Sequence, residues 1–335
     1  MKICVVRVDK MGDMLLTLPI IQGIKKADEE NIIDIVCSDN NHKICNRVPI
    51  INNIFIINKK ISKILIIIKE LRRQNYDYLY SFSPGWVSII LSIFSKSKFK
   101  SLLILQSRYK SGKSSKIVEK TICKMFFNNI KIVDRNSYLK LNKSINQSKL
   151  MQEVVTKSGL EVIENIKINN LFQFGKKDFN QKEIFLIHLS YKWINKYFSE
   201  EQFLNLIEKL RKIGKNIVMS SDQSSIQVFR KIYKKYKIIN NENFKSLDDV
   251  NEILILEKLD FDNWTTVINS STYVITPECG CTHIASLTNC KLCVIYDADN
   301  LPEMIAKEYA PWKKNYTKLI SNDHNLEEKL ILFSN

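Results

Sequence analysis

Three short stretches of this 335-residue chain hold residue types that can do chemistry: RVDKMGD at 7–13, HLSYKWINKY at 188–197 and ECGCTHIASL at 278–287. In the first, Asp13 can act as a general base that takes the proton from an attacking hydroxyl, with Arg7 and Lys10 holding an acceptor phosphate. The competing reading is a helix-start aspartate that steadies the helix dipole by about 0.3–1 kcal/mol. Gly12 reads as the residue that lets the backbone turn tightly, and Asp9 with Lys10 reads equally as an ordinary turn pair.

The second stretch puts Ser190, Lys192 and Lys196 just beyond an apolar run. Lysines converging on a strand end can offset the charge of a departing diphosphate, where transition-state electrostatics contributes most. The alternative is a plain loop in a lysine-rich protein, and His188, alternating with buried neighbours, reads as structural. In the third stretch a glycine leads into a helix and exposes backbone N–H groups to an anion. There Glu278 can accept from a ribose hydroxyl, with Gly280, Cys281, Thr282 and His283 lining the turn. Cys279, Cys281 and His283 do not make a zinc site, because three ligands so close together lack a fourth and miss zinc spacing. KSGKSS at 110–115 lacks the first glycine of a phosphate loop, and no GxGxxG follows the first strand.

These groups need strand ends to carry them, and the chain supplies two sets. Short branched runs alternate with amphipathic stretches, the pattern of βαβ units. Strands are expected at KICVVRV, NIIDIVCS, INNIFII, YDYLYSF and LLIL, with helices near 16–27, 61–73, 86–94 and a basic one near 114–127. The pattern restarts at EIFLIHLS and continues through a helix capped by Ser199, NIVMSS, QVFRKIYKKY, YKIIN, NWTTVINSS, YVITP, THIASLTN and KLCVIYD. The expected organisation is a first α/β domain at 1–170, a linker at 171–183, a second α/β domain at 184–320 and a C-terminal helix at 321–335, capped by Asn322 or Asp323. Ligands of open α/β sheets bind beyond the carboxyl ends of the strands. The loops that matter are then 9–14, 81–86, 189–196, 220–223, 276–282 and 296–300.

Composition is that of a globular chain, 45% hydrophobic and 26% charged. The apolar run at the start stops at Arg7, too soon for a signal peptide, and no window is long enough to span a bilayer. Eight cysteines in a chain this long point to a reducing cytoplasm, not a disulfide scaffold. The net charge of +16 is concentrated in Lys96–Lys124, which faces Glu119 alone as an acid. Such a segment attracts an anionic membrane or acceptor, or is a solvated lysine-rich background, and too few aromatics accompany it for single-stranded nucleic acid. Arg108, Lys110 and Lys113 are its expected acceptor contacts.

In their order along the chain the stretches resemble glycosyltransferase family 9, the ADP-heptose:lipopolysaccharide heptosyltransferases and their relatives. RVDKMGDMLLTLP is similar to the family's R-x-[DS]-x-x-GD-x-x-LT-x-P opening, WINKY to its W-x-x-K-x-W segment, and YVITPECGCTHIASLTN with KLCVIYDADNLP to its DTGxxHLAAALG block and FGPTDP end. The resemblance implies a GT-B-like pair of doubly wound domains facing a cleft, with the acceptor on the first and the donor on the second. It implies inverting sugar transfer from a nucleotide-sugar substrate to an anionic lipid-linked core oligosaccharide, with no metal and no cofactor. Asp13 falls on the catalytic aspartate, Lys196 on the phosphate-side lysine, and Gly280 and His283 on the nucleotide turn. Ser190, Lys192, Ser221, Glu278, Cys281 and Thr282 complete the expected donor side; Arg7, Lys10 and Gly12 join the acceptor side. A monomer on the cytoplasmic face of the inner membrane is expected. The chain differs from the family at Glu278, Cys279, Ser220–Ser221, Tyr197–Phe198 and YDADNLP, all on the donor side. A different donor, a nucleotide-sugar epimerase and a catalytically degenerate binding protein are the other readings.

Overall fold

The computed structural model describes residues 1–58, 60–83, 85–105, 123–141, 143, 145–164, 172–175, 183–221, 225, 227–244, 253–312 and 315–334. The chain forms two compact units, Met1–Gln173 with Lys307–Tyr309, and Phe174–Ala306 with Ala310–Asn335.

The first unit holds β1 (Lys2–Arg7), α1 (Met11–Ala27), β2 (Ile32–Ser38), α2 (Asp39–Cys45), β3 (Ile54–Ile57), α3 (Ile61–Gln74), β4 (Tyr76–Ser81), α4 (Trp86–Phe94), β5 (Ser97–Leu105), β6 (Asn129–Val133), α5 (Arg135–Lys140) and α6 (Gln147–Lys157). Its six strands run parallel in the order β3-β2-β1-β4-β5-β6. The order reverses between β1 and β4, which opens a crevice at their carboxyl ends. Near-continuous apolar runs such as ICVV suit strands covered on both faces. The interior of α1 is buried from Met14 to Ile24, so it is a core helix and not an amphipathic surface one.

The second unit holds β7 (Ile184–Leu189), a five-residue π-helical turn at Trp193–Tyr197, α7 (Glu200–Lys212), β8 (Asn216–Ser221), α8 (Arg230–Lys235), β9 (Lys237–Asn240), β10 (Leu254–Glu257), α9 (Phe261–Ser270), β11 (Tyr273–Pro277), α10 (Gly280–Ala285), β12 (Lys291–Tyr296), α11 (Pro302–Glu308), β13 (Thr317–Ile320) and α12 (Leu326–Phe333). Its seven strands are also parallel, in the order β13-β12-β11-β7-β8-β10-β9. Here the switch point lies between β7 and β11. The expected class, two doubly wound α/β domains of GT-B-like type, is what the structure has.

Several local expectations need correction. α1 begins at Met11, five residues before the predicted start, so Gly12 lies in the first helical turn. Gly12 is not among the residues with positive φ, and no tight turn depends on it. β6, α2, β10, α11 and β13 were not foreseen; most are short, and β6 (NIKIV) alternates polar with apolar residues in an asparagine-rich setting. Asn325, in the left-handed region at φ 63°, is the residue before α12, in place of Asn322 or Asp323. Ser199 caps α7 as expected: its Oγ accepts from the Gln202 N–H at 3.2 Å, and Gln202 Oε1 accepts the Ser199 N–H at 2.8 Å. The basic helix expected at 114–127 lies mostly outside the described residues; 123–126 are helical.

The end of α11, from Lys307, belongs to the first unit and is tied down there by a buried ion pair. Arg135 donates to Glu308 at 2.7–3.0 Å through Nε and Nη2, and Gln147 Nε2 donates to the same carboxylate at 3.0 Å. Glu308 is 1% exposed. Removing one partner of a buried pair costs about 3–5 kcal/mol. Glu308→Ala should therefore lower unfolding stability by about 3 kcal/mol in urea. A change within the error of the extrapolation would show that the pair contributes nothing.

Candidate active site

At the first switch point the chemistry gathers around Arg7. The last residue of β1 is 2% exposed, and its guanidinium sits among oxygens. Nη2 lies 3.1 Å from Asp13 Oδ1, and Nη1 lies 3.7 Å from Asp9 Oδ2 and donates to the Phe82 carbonyl just past β4. Asp13 is the third residue of α1. Its Oδ2 accepts the Lys10 N–H at 3.2 Å, so it also closes the helix start. The carboxylate closes the helix start with one oxygen, as a helix-start aspartate does, and meets Arg7 with the other. With about four lone-pair sites on a carboxylate, two remain open.

The rest of the crevice is built from β4 and α2. The Val8 N–H donates to Ser83 Oγ at 2.9 Å, and Asn41 Nδ2 donates to the Arg7 and Asp9 carbonyls at 3.3 and 3.1 Å. Burial raises the Asp9 carboxyl above its ordinary range, with Arg7 and Ser83 opposing and Asp13 adding to the rise. Lys10 is exposed at the mouth of the helix. Arg7, expected on an acceptor phosphate, is instead walled in and turned toward Asp13. Arg108, Lys110 and Lys113 lie outside the described residues.

At the second switch point the loops after β7, β11 and β12 converge. Trp193 is fully buried, donates its indole N–H to the His188 carbonyl at 2.8 Å and stacks on Phe198 with ring centroids 6.1 Å apart. The Phe198 N–H reaches back to the Trp193 carbonyl at 2.8 Å, which closes a π-helical turn. That anchor sets the directions of Lys192 and Lys196. Lys192 Nζ donates to the Glu278 carbonyl at 2.6 Å and to Oε2 at 3.3 Å. Lys196 Nζ lies 3.4 Å from Asp299 and 3.8 Å from Asp297, both in the loop after β12.

The turn 278–283 is wound tightly on itself. Thr282 Oγ1 accepts the Cys279 N–H at 3.2 Å and donates to the Pro277 carbonyl at 3.3 Å. Thr282, Cys281 and His283 are all buried, and Thr282 braces the turn through these two hydrogen bonds. Gly280 opens α10 without positive φ. Ser190 accepts the Lys192 N–H at 3.4 Å, and Ser221 shares a hydrogen bond with the Tyr233 hydroxyl. Cys279 is half-buried beside Thr276 Oγ1, at 3.3 Å. Burial pushes its thiol up, but the hydrogen-bonded His188 ring, Thr276 and Lys192 outweigh that and hold it below the ordinary thiol range. His188 in turn meets Ser220 Oγ at 2.9 Å through Nδ1.

Phe82, Ser83, Asp297 and Asp299 were missed as individual residues, although the loops that carry them were singled out by the strand-end rule. His188 was read as structural; it also bears on Cys279. Among the described residues, no group of three or more His, Cys, Asp and Glu side chains could hold a metal ion.

A protein-family model described as "Glycosyltransferase family 9 (heptosyltransferase)" matches residues 64–331. No curated protein sequence matches the chain. Among solved structures, E. coli heptosyltransferase WaaC with ADP superposes at a TM-score of 0.73 with 14% identity, over 100% of both chains. A glycosyl transferase family 9 protein from Veillonella parvula gives 0.72 at 14% identity, over 99% of this chain and 90% of the other. The E. coli ADP-heptose lps heptosyltransferase II gives 0.70 at 12% identity, over 99% of this chain and 97% of the other. At such identities these likenesses concern the fold.

The Cys279 environment makes a direct expectation. Iodoacetamide should modify Cys279 first, with a half-maximal rate at a pH below that of an ordinary thiol. Cys281, buried and with its thiol raised by that burial, should stay unmodified. Peptide mass spectrometry across a pH series reads both, and His188→Ala should move the Cys279 midpoint upward. A midpoint at or above the ordinary value contradicts the assignment.

Proposed function

The chain belongs to glycosyltransferase family 9, and on that premise we propose that it is an inverting, metal-independent transferase. It moves a sugar, heptose from ADP-heptose, onto the anionic core of a lipid-linked lipopolysaccharide or lipooligosaccharide acceptor. One observation carries the reading: Asp13, a carboxylate held at the first switch point by the buried Arg7 with lone pairs to spare. The adenine nucleotide is supported by the fold likeness to WaaC, solved with ADP and with ADP-2-deoxy-2-fluoro heptose.

The first domain takes the acceptor and the second the donor. Asp13 accepts the proton of the acceptor hydroxyl as its oxygen bonds to the anomeric carbon, on the face opposite the nucleotide. The bond from that carbon to the phosphate oxygen breaks, and its electron pair leaves with ADP. Lys196 and Lys192, with the backbone amides opening at Gly280, offset the charge on the leaving diphosphate. Arg7 orients Asp13 and does not touch substrate. Lys10 and the basic segment with Arg108, Lys110 and Lys113 meet acidic groups of the acceptor. Work on such an acceptor places a monomer at the cytoplasmic face of the inner membrane. No helix among the described residues is long and apolar enough to cross a membrane.

Lys196 faces two aspartates, so a diphosphate must displace carboxylates to reach it. Asp299→Asn should lower the donor KM a few-fold, within the range of exposed ion pairs. The main test incubates the purified protein with ADP-heptose and a delipidated core, with mass detection of the product. Asp13→Asn should cut kcat by about 10²–10⁴-fold with the donor KM little changed. An unchanged kcat in that variant overturns the base assignment. Epimerisation of the donor without acceptor would point to an epimerase, and donor binding without any turnover to a degenerate binding protein.

A further inference from the structure

α3 is apolar on two neighbouring faces; one packs on the sheet, and the other is exposed at Ile61 and Leu65, with Ile68 half-buried against the core. Ile64, Ile67 and Leu71 are buried in the core with Leu79 and Leu91. At about 100° per residue, Ile61, Leu65, Ile68 and Arg72 form a second stripe about 60° wide, next to the buried one. Ile61 is 72% exposed and Leu65 62% exposed. Trp86 and Phe94 at the two ends of the neighbouring α4 are likewise exposed, and Arg72 Nη1 donates to the Phe94 carbonyl at 3.3 Å. A solvated helix face does not need such a stripe.

The charges beside the stripe have one sign. Leu65 and Ile68 line a groove whose other walls are Lys69, Arg72, Arg73 and Lys96. The acid of α3, Glu70, falls about half a turn away from the stripe, and Asp77 is paired with Lys98. Lys100 donates to the Ile93 and Ser95 carbonyls at 2.8 and 2.9 Å, and burial, with Arg72 adding, lowers its ammonium from the ordinary range. Among the described residues, no ion pair joins Lys69, Arg72, Arg73 or Lys96 to a carboxylate.

We propose that the stripe of Ile61, Leu65 and Ile68, with its rim of Lys69, Arg72, Arg73 and Lys96, docks on an anionic lipid bilayer. Leu65 and its neighbours enter the headgroup boundary while the cations meet lipid phosphates. A protein partner is less well matched, because lysine is depleted in protein interfaces and enriched on membrane-binding faces. The proposal deepens the reading of a lipid-linked acceptor by naming the surface that would reach it, and it does not involve Asp13 or the donor turn.

The test is flotation of the full-length protein with vesicles of phosphatidylcholine alone and with added phosphatidylglycerol, without donor or acceptor. Binding is expected to the anionic vesicles only and to fall with salt. Leu65→Glu, and separately Lys69→Glu with Arg73→Glu, should each weaken it about tenfold or more, with far-UV circular dichroism and melting temperature unchanged. All three positions are exposed, so folding should survive. Equal binding to neutral vesicles, or undiminished binding by both variants, overturns the proposal. So does a wild-type dimer in sedimentation that Leu65→Glu dissociates, since the stripe would then be a protein interface. Because no turnover is measured, the result stands apart from whether sugar is transferred.

Discussion

A guanidinium sealed inside a protein has to find oxygens, and at Arg7 that requirement organises the whole first crevice. An uncompensated buried charge is penalised by several kcal/mol. Arg7 meets the requirement with the Phe82 carbonyl after β4 and the carboxylates of Asp9 and Asp13. Those partners come from three places in the chain, so the pairing of β1 with β4, the early start of α1 and the direction of Asp13 are held by one group. The carboxylate that could act on a hydroxyl is thereby fixed by the interior, while its side chain stays 17% exposed. One nitrogen, Nε, is left buried without a hydrogen-bond partner, and that fits a residue placed for its other two nitrogens.

The second domain solves its charge problem in a different way. There the cations are half-exposed and paired to acids of neighbouring strand-end loops, Lys192 to Glu278 and Lys196 to Asp297 and Asp299. Such pairs contribute little stability and exchange readily for another anion. What is rigid is the hydrophobic anchor below them, Trp193 packed on Phe198 and Phe203.

The net charge of the chain divides between these uses. Buried cations such as Arg7 and Arg135 serve architecture through carboxylate partners. Those of α3 and the start of β5 gather beside exposed apolar residues and have few acids near them. A lysine-rich composition by itself says nothing of which lysines belong to which group, because both kinds look alike in a sequence.

Much of the fold was legible because period-2 and period-3.6 patterns report burial directly, and one restart of the βαβ pattern means two sheets. The motif-bearing loops were legible too, since parallel sheets expose function at their carboxyl ends. Short elements such as β6, α2 and β13 were not, because their stability comes from neighbouring strands and not from their own pattern. Side-chain direction was also hidden. The sequence by itself determined that Asp13, Lys192, Lys196 and the 278–283 turn sit at strand ends. Only the tertiary structure decided that Arg7 points inward at Asp13, that Cys281, Thr282 and His283 are buried, and that Lys196 looks at two aspartates. The reason is physical: backbone periodicity is a local property, whereas the partner of a charge is chosen among groups far apart in the chain, by burial and distance.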